Sequence, residues 1–85
     1  MTERLSSFMV TDKQSFVEFL ELLHKDFLEN PDSWENRNLD DFIEAMIRYT
    51  EDIQSYYDNT KQNVDAGLPT WQLFADILKG STMYE

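Results

Sequence analysis

Residues 11–29, TDKQSFVEFLELLHKDFLE, contain the pattern that decides the fold class of this chain. Apolar side chains recur there in steps of three and four residues, a spacing that places them on one face of an α-helix. The members of this face are Phe16, Phe19, Leu20, Leu23 and Phe27. The pattern therefore predicts a helix over residues 12–29 whose apolar face is buried.

Both ends of this helix carry sequence signals. Thr11 precedes Gln14 by three residues, which is the spacing of a capping box, so Thr11 is expected to cap the helix. The pair Asn30-Pro31 ends it, because a residue before proline disfavours the helical conformation. The charged side chains are expected on the outward arc of the helix; they are Glu18, Glu21, Lys25 and Asp26.

Two further helices are predicted. One runs over residues 39–57 after Asn38, a residue type that often caps helices. Its apolar positions at helical spacing are Leu39, Phe42, Ile43, Met46, Ile47, Ile53 and Tyr57. The other begins at Thr70 and stops near Gly80, since glycine commonly follows the last helical residue.

The rest of the chain connects or flanks these helices. Residues 58–69 form one long polar connection, residues 1–10 a lead-in and residues 81–85 a tail. A short fourth element is expected around residues 1–10 or 31–36. The predicted fold class is all-α, a compact bundle of three main helices that forms one domain over residues 1–85.

The charge of the chain limits its partners. Its 85 residues include 7 basic and 17 acidic side chains, for a net charge of −10. Binding to nucleic acid requires a basic surface, so this class of partner is excluded, and an anionic membrane surface is disfavoured for the same reason. A basic protein partner would be attracted. No apolar run approaches the ~20 residues of a membrane span, and a cytoplasmic protein is expected.

The residues that carry chemistry are sparse. There is no cysteine, which excludes disulfides and thiolate metal ligands. The single histidine, His24, follows Glu21 at a Glu-x-x-His spacing, but di-iron bundles use two such pairs. We expect no catalytic residue, no cofactor and no metal. A small carboxylate and histidine metal protein using Glu21 and His24 stays as an alternative.

A cluster of tyrosines and acids on the second predicted helix suggests a partner surface. Tyrosines are common in protein interfaces, although they also line the rims of small cores. The candidate partner-binding residues are Asp41, Glu44, Tyr49, Glu51, Asp52 and Tyr56. An exposed aromatic face of this kind also allows a homodimer.

Several short motifs resemble those of a family of small bacterial proteins of unknown function. The motifs are Trp34-Glu35-Asn36, Leu39-x-x-Phe42, Tyr56-Tyr57-x-Asn59, Trp71-x-x-Phe74 and the final Tyr84-Glu85. The resemblance covers residues 11–85 and supplies no activity. It implies a cytoplasmic bacterial domain in which the residues of these motifs belong to the scaffold or to a site; they include Trp34, Glu35, Asn36, Trp71 and Tyr84.

These observations favour a non-catalytic protein-binding module. A narrower alternative is an immunity or antitoxin protein that inhibits a basic toxin or nuclease. It rests on an analogy of size, helicity and acidity with bacteriocin immunity proteins, without a shared motif beyond a Tyr-Tyr pair.

Overall fold

The computed structural model describes residues 1–84, and all regular structure in that range is helical. The α-helices are α1 (Glu3–Ser7), α2 (Lys13–Glu29), α3 (Leu39–Asn59) and α4 (Trp71–Ser81), and a single 3-10 turn spans Pro31–Ser33. The prediction of three main helices with a short fourth element is confirmed. Glu85, part of the predicted tail and of the final Tyr-Glu motif, lies outside the described residues.

Helix α4 lies between the two longest helices. It packs against both α2 and α3, whereas α2 and α3 have few direct contacts with each other, and α1 packs against α2. One buried cluster lies around α2 and contains Leu5, Val10, Phe19, Leu23, Trp34 and Ala75. A second joins α3 to α4 and contains Ile53, Tyr57 and Leu73. Because α4 supplies residues to both clusters, it holds the core together.

The caps of the helices follow the sequence with one correction. Asn38 caps α3 and Thr70 caps α4, as predicted. The cap of α2 is Asp12 rather than Thr11, because the Asp12 carboxylate accepts the backbone N–H of Ser15 at 2.8 Å. The same hydrogen bond lowers the pKa of Asp12. Helix α3 extends two residues past its predicted end at 57, and α4 continues through Gly80 to Ser81.

Asp26 is not on the outward arc of α2, which corrects the prediction for this residue. Its side chain is only 2% exposed and accepts two hydrogen bonds. The indole Nε1 of Trp34 donates to Oδ2 at 2.7 Å, and the backbone N–H of Thr2 donates to Oδ1 at 3.1 Å. Trp34 folds back over α2 as its size predicts, and in doing so it covers a carboxylate that would otherwise be solvated.

Both flanking segments belong to the domain. Leu5 of α1 is fully buried and Val10 is nearly so, which shows that the lead-in covers one end of the core. At the other end, Thr82 is buried, and its carbonyl accepts the backbone N–H groups of Glu35 and Asn36 at 3.0 Å each. Within residues 1–84, the helices are all too short or too polar to cross a lipid bilayer.

Candidate functional site

Two grooves on this bundle are candidates for binding. The first, called here the apolar groove, lies between the C-terminal half of α2 and the beginning of α3 and holds about 330 Å³. Its lining residues are Leu20, Leu23, His24, Phe27, Trp34, Asn36, Arg37, Asn38, Leu39 and Phe42. Leu20 was expected in the core, but it is 39% exposed because it lies at the edge of this groove.

Trp34 forms the rigid base of the apolar groove. Its ring meets Phe27 edge-on at a centroid distance of 5.0 Å and stacks on Phe42 at 5.9 Å. The hydrogen bond from its indole nitrogen to Asp26 fixes the ring plane. Aromatic packing of this kind adds to the energy of apolar burial, so the base of the groove is preorganised.

Three of the four polar side chains that line the apolar groove, all except His24, already have hydrogen-bond partners. The amide of Asn36 donates to the carbonyls of Ser81 and Tyr84 at 2.9 Å and 2.7 Å. Arg37 pairs with Asp32 at 3.1 Å, and Asn38 accepts the N–H of Asp41 as the cap of α3. These contacts leave an apolar surface with few free polar groups to orient a small polar ligand.

An exposed apolar stripe continues from the groove along α3. Leu39, Ile43 and Ile47 follow at intervals of four residues, a spacing that places them on one helix face. Leu39 is 75% exposed and Ile47 is 58% exposed. The sequence identifies these residues only as apolar positions at helical spacing, and the structure shows that this part of the apolar band on α3 is too wide for one short neighbouring helix to cover.

The lengths of the helices explain this exposure. Helix α3 has 21 residues and α4 has 11, so at 1.5 Å per residue they are about 32 Å and 17 Å long. The two run alongside each other from the bond between Tyr57 Oη and Asp76 to the contact between Tyr49 and Gly80. The first turns of α3 therefore project beyond α4.

The second groove, called here the tyrosine groove, lies at the other end of α3 and holds about 600 Å³. Its lining residues are Tyr49, Asp52, Ser55, Tyr56, Asn59, Gly80, Met83 and Tyr84. The structure thus brings together three of the predicted partner-binding residues, Tyr49, Asp52 and Tyr56. It adds Tyr84, whose hydroxyl donates a hydrogen bond to Asp52.

The other predicted partner residues lie elsewhere. Asp41 precedes Tyr56 by fifteen residues, which separates them by about 22 Å along the helix axis. Glu44 pairs with Arg48 at 2.7 Å, and Glu51 is exposed beside the tyrosine groove without lining it. The predicted surface is therefore split into an acidic start of α3 and a tyrosine groove near its end.

The potential metal ligands are exposed acids. Within residues 1–84, the group of carboxylates close enough to share an ion is Asp40, Asp41 and Glu44, with ligand atoms within 4.8 Å of one another. All three are solvent-exposed at the start of α3, where acids are favoured by the helix dipole. Glu21 and His24 are exposed on α2 and do not belong to this group.

The Trp34-Glu35-Asn36 motif joins the segment after α2 to the turn that follows α4. Trp34 binds Asp26 through its side chain, Glu35 binds Thr82 through its backbone, and Asn36 binds Tyr84. Trp71, the first residue of α4, packs against the ring of Phe16 at a centroid distance of 5.4 Å. In this structure the Trp34-Glu35-Asn36 segment is thus a clamp on the turn that follows α4.

Residues 12–85 match a family described as Family of unknown function (DUF7660). The chain belongs to this family. The expected membership in a family of unknown function is confirmed, and the match includes α2, α3, α4 and both grooves while leaving out α1. The description of DUF7660 gives no activity for either groove. Comparisons with curated proteins and with solved structures found no match.

Proposed function

We propose that this domain is a non-catalytic protein-binding module whose apolar groove receives an amphipathic helix of a basic partner protein. The observation that carries the proposal is the exposed stripe Leu39, Ile43 and Ile47, which extends the apolar surface beyond the groove. A helix with apolar residues at matching intervals can place one anchor in the groove and lay the next ones along the stripe.

The shape of this surface favours a polypeptide over a small molecule. A volume of about 330 Å³ is at the lower end of small-ligand pockets, which range over roughly 300–1,000 Å³. Such pockets orient their ligands with a few convergent polar groups, and the amide of Asn36 is already bonded to two carbonyls. A bound helix can contact an elongated apolar stripe along its whole length, whereas a compact ligand contacts only one part of it.

The surrounding charge supports the proposal of a basic partner. Asp40 and Asp41 are exposed beside Leu39 in the first turn of α3, and the chain as a whole carries a net charge of −10. The nearest positive charge on the groove, Arg37, is neutralised by Asp32. Lysine or arginine residues that flank the apolar anchors of a helix would complement this rim and speed its association.

The test is a selection of helical peptides from a display library on the intact protein, with Leu39→Glu and Leu68→Glu as variants. Leu39 and Leu68 are 75% and 62% exposed, so both changes should alter the free energy of unfolding by less than about 0.5 kcal/mol. Burying Leu39 against a partner is worth up to about 2 kcal/mol. Leu39→Glu should therefore weaken the selected peptides more than tenfold, whereas Leu68→Glu should not.

The expected peptides combine apolar residues at positions i, i+3 or i+4, and i+7 with flanking lysine or arginine. The proposal is wrong if the enriched peptides lack this periodicity, or if Leu39→Glu and Leu68→Glu bind them equally. It is also wrong if sedimentation shows that the protein forms a dimer that Leu39→Glu dissociates, because the occupant of the groove is then a second copy.

A further inference from the structure

The tyrosine groove has the composition of a site for a cation. Three tyrosine rings surround it, with Tyr49 at a centroid distance of 5.0 Å from Tyr84 and 6.3 Å from Tyr56. The Tyr49 ring is inclined by 63° to Tyr84 and by 52° to Tyr56. The rings therefore do not stack face to face, and the space between them stays open. Ring faces carry negative electrostatic potential and attract cations.

A glycine of α4 makes this arrangement possible. A Cβ atom on Gly80 would lie 2.1 Å from a ring carbon of Tyr49, a distance that no pair of unbonded carbons adopts. The absence of a side chain at Gly80 lets the Tyr49 ring rest on the backbone of α4. Burial there raises the pKa of Tyr49 to about 12, so its phenol stays neutral at physiological pH.

Among residues 1–84, Asp52 supplies the only formal charge of the side chains that line the tyrosine groove. Its Oδ2 accepts the hydroxyl of Tyr84, which orients the carboxylate and raises the pKa of Tyr84. Among residues 1–84 no donor bonds to its Oδ1. Arg48, four residues earlier on the same helix, does not line the groove and pairs with Glu44, and its charge opposes the rise in the pKa of Tyr84.

Lys79 does not line the groove. It lines an adjoining depression that shares Tyr49, Tyr56, Gly80 and Met83 with the groove. Its ammonium group donates to the carbonyl of Ser6 at 3.2 Å. Asp76 lies 3.6 Å from the same ammonium group. Within the part of the chain that the structure describes, no cationic side chain therefore lines the negative site formed by the three rings and Asp52.

We infer that the tyrosine groove binds an arginine side chain of a partner polypeptide, with the guanidinium against the ring of Tyr56 and hydrogen-bonded to Oδ1 of Asp52. Tyr56 is the most exposed of the rings, and a planar guanidinium both stacks on aromatic faces and pairs with carboxylates. A lysine ammonium group is more strongly hydrated and does not stack, so it fits this site less well. The inference rests on the proposed function only in requiring a polypeptide partner.

The test titrates the intact protein with N-acetyl-arginine amide, N-acetyl-lysine amide and N-acetyl-citrulline amide, followed by NMR. Citrulline has nearly the shape of arginine without its charge. Saturable shifts are expected at residues 52–56 and 80–84 with the arginine compound, and binding of the citrulline compound should be about tenfold weaker. The lysine compound should lie between them.

Matched variants locate the site. Asp52→Asn and Tyr56→Leu should each weaken arginine binding about fivefold or more, while Glu51→Gln, which removes a neighbouring charge outside the groove, should leave it within twofold. Equal binding of arginine and citrulline compounds overturns the inference. Equal losses in Asp52→Asn and Glu51→Gln also overturn it, because they indicate a diffuse effect of net charge.

The two proposals fail separately. Leu39→Glu lies about 20 Å or more from Tyr56 along α3 and should leave binding of the arginine compound unchanged. Loss of peptide selection at the apolar groove, with arginine binding retained, refutes the proposed function alone. Retained peptide selection without saturable arginine binding refutes the present inference alone.

Discussion

The buried hydrogen bond between Trp34 and Asp26 is predicted to be a main determinant of stability. The perturbations are Asp26→Ala, Trp34→Phe and the double variant. Asp26 is 2% exposed and Trp34 8% exposed, so removal of either partner leaves the other polar group in the core without its main hydrogen bond. Trp34→Phe keeps an aromatic ring between Phe27 and Phe42, which limits the accompanying loss of packing.

The magnitude follows from this burial. A hydrogen bond to a charged group contributes about 1.5–3 kcal/mol, and an unsatisfied buried donor costs about 1–3 kcal/mol. Asp26→Ala should therefore lower the free energy of unfolding by about 2–4 kcal/mol. A chain of 85 residues has a total stability of roughly 4–13 kcal/mol, so this change is a large share of it. The coupling between the two substitutions should be about 1.5–3 kcal/mol.

Urea unfolding followed by circular dichroism measures all four species of this double-mutant cycle. Glu18→Ala, which removes an exposed carboxylate of the same helix, is the control and should change stability by less than about 0.5 kcal/mol. If the effects of Asp26→Ala and Trp34→Phe add to within about 0.5 kcal/mol, the hydrogen bond is not what stabilises this region, and the reasoning is refuted.

Three further predictions concern other parts of the fold. Gly80→Ala should lower the thermal midpoint, since the added Cβ meets the Tyr49 ring at 2.1 Å. The cost of overpacking, about 1–3 kcal/mol, exceeds the gain of about 1 kcal/mol in helix propensity. Gly67→Ala, in the exposed connection, should leave the midpoint nearly unchanged. The free energy of unfolding should fall as the pH rises from 10.0 towards about 12, because the folded state raises the pKa of Tyr49 above its unfolded value and so binds this proton more tightly. Tyr49→Phe should reduce the slope of this free energy against pH, measured by urea titration at each pH. An unchanged slope contradicts the assignment of the effect to Tyr49. Leu5→Ala should destabilise the protein by about 2–5 kcal/mol in the same assay, since Leu5 is fully buried. A change below about 1 kcal/mol means that α1 does not unfold cooperatively with the rest of the bundle.

The helices could be predicted from local patterns because their causes are local. The spacing of Phe16, Phe19 and Phe27 predicts α2, and the caps Asn38 and Thr70 begin α3 and α4 as their side chains indicate. Thr11 failed as the cap because the next residue, Asp12, offers a carboxylate to the same turn. Competition between two adjacent caps is decided by backbone geometry, which the sequence pattern does not contain.

The grooves depend on tertiary placement and were only partly predictable. Tyr49 and Tyr56 share a face because seven residues make nearly two helical turns, so their proximity followed from the sequence. Tyr84 joins them only through the path of the chain after α4. In the sequence, Asp26 lies on a polar arc and cannot be distinguished from a solvated acid. Its burial depends on Trp34, which covers it in the folded structure. The exposure of Leu39 likewise depends on where α4 ends.

The position of α4 between α2 and α3 also bears on how the domain is made. Because α2 and α3 have few direct contacts with each other, α3 lacks its main packing partner while α4 is still being synthesised, and α2 has only its contacts with α1 and the turn at Pro31–Ser33. Most of the stability of helices in proteins comes from tertiary packing, so the complete core is expected to form only once Trp71–Ser81 is available. A chain that lacks α4 would expose the apolar faces of two helices to chaperones and proteases.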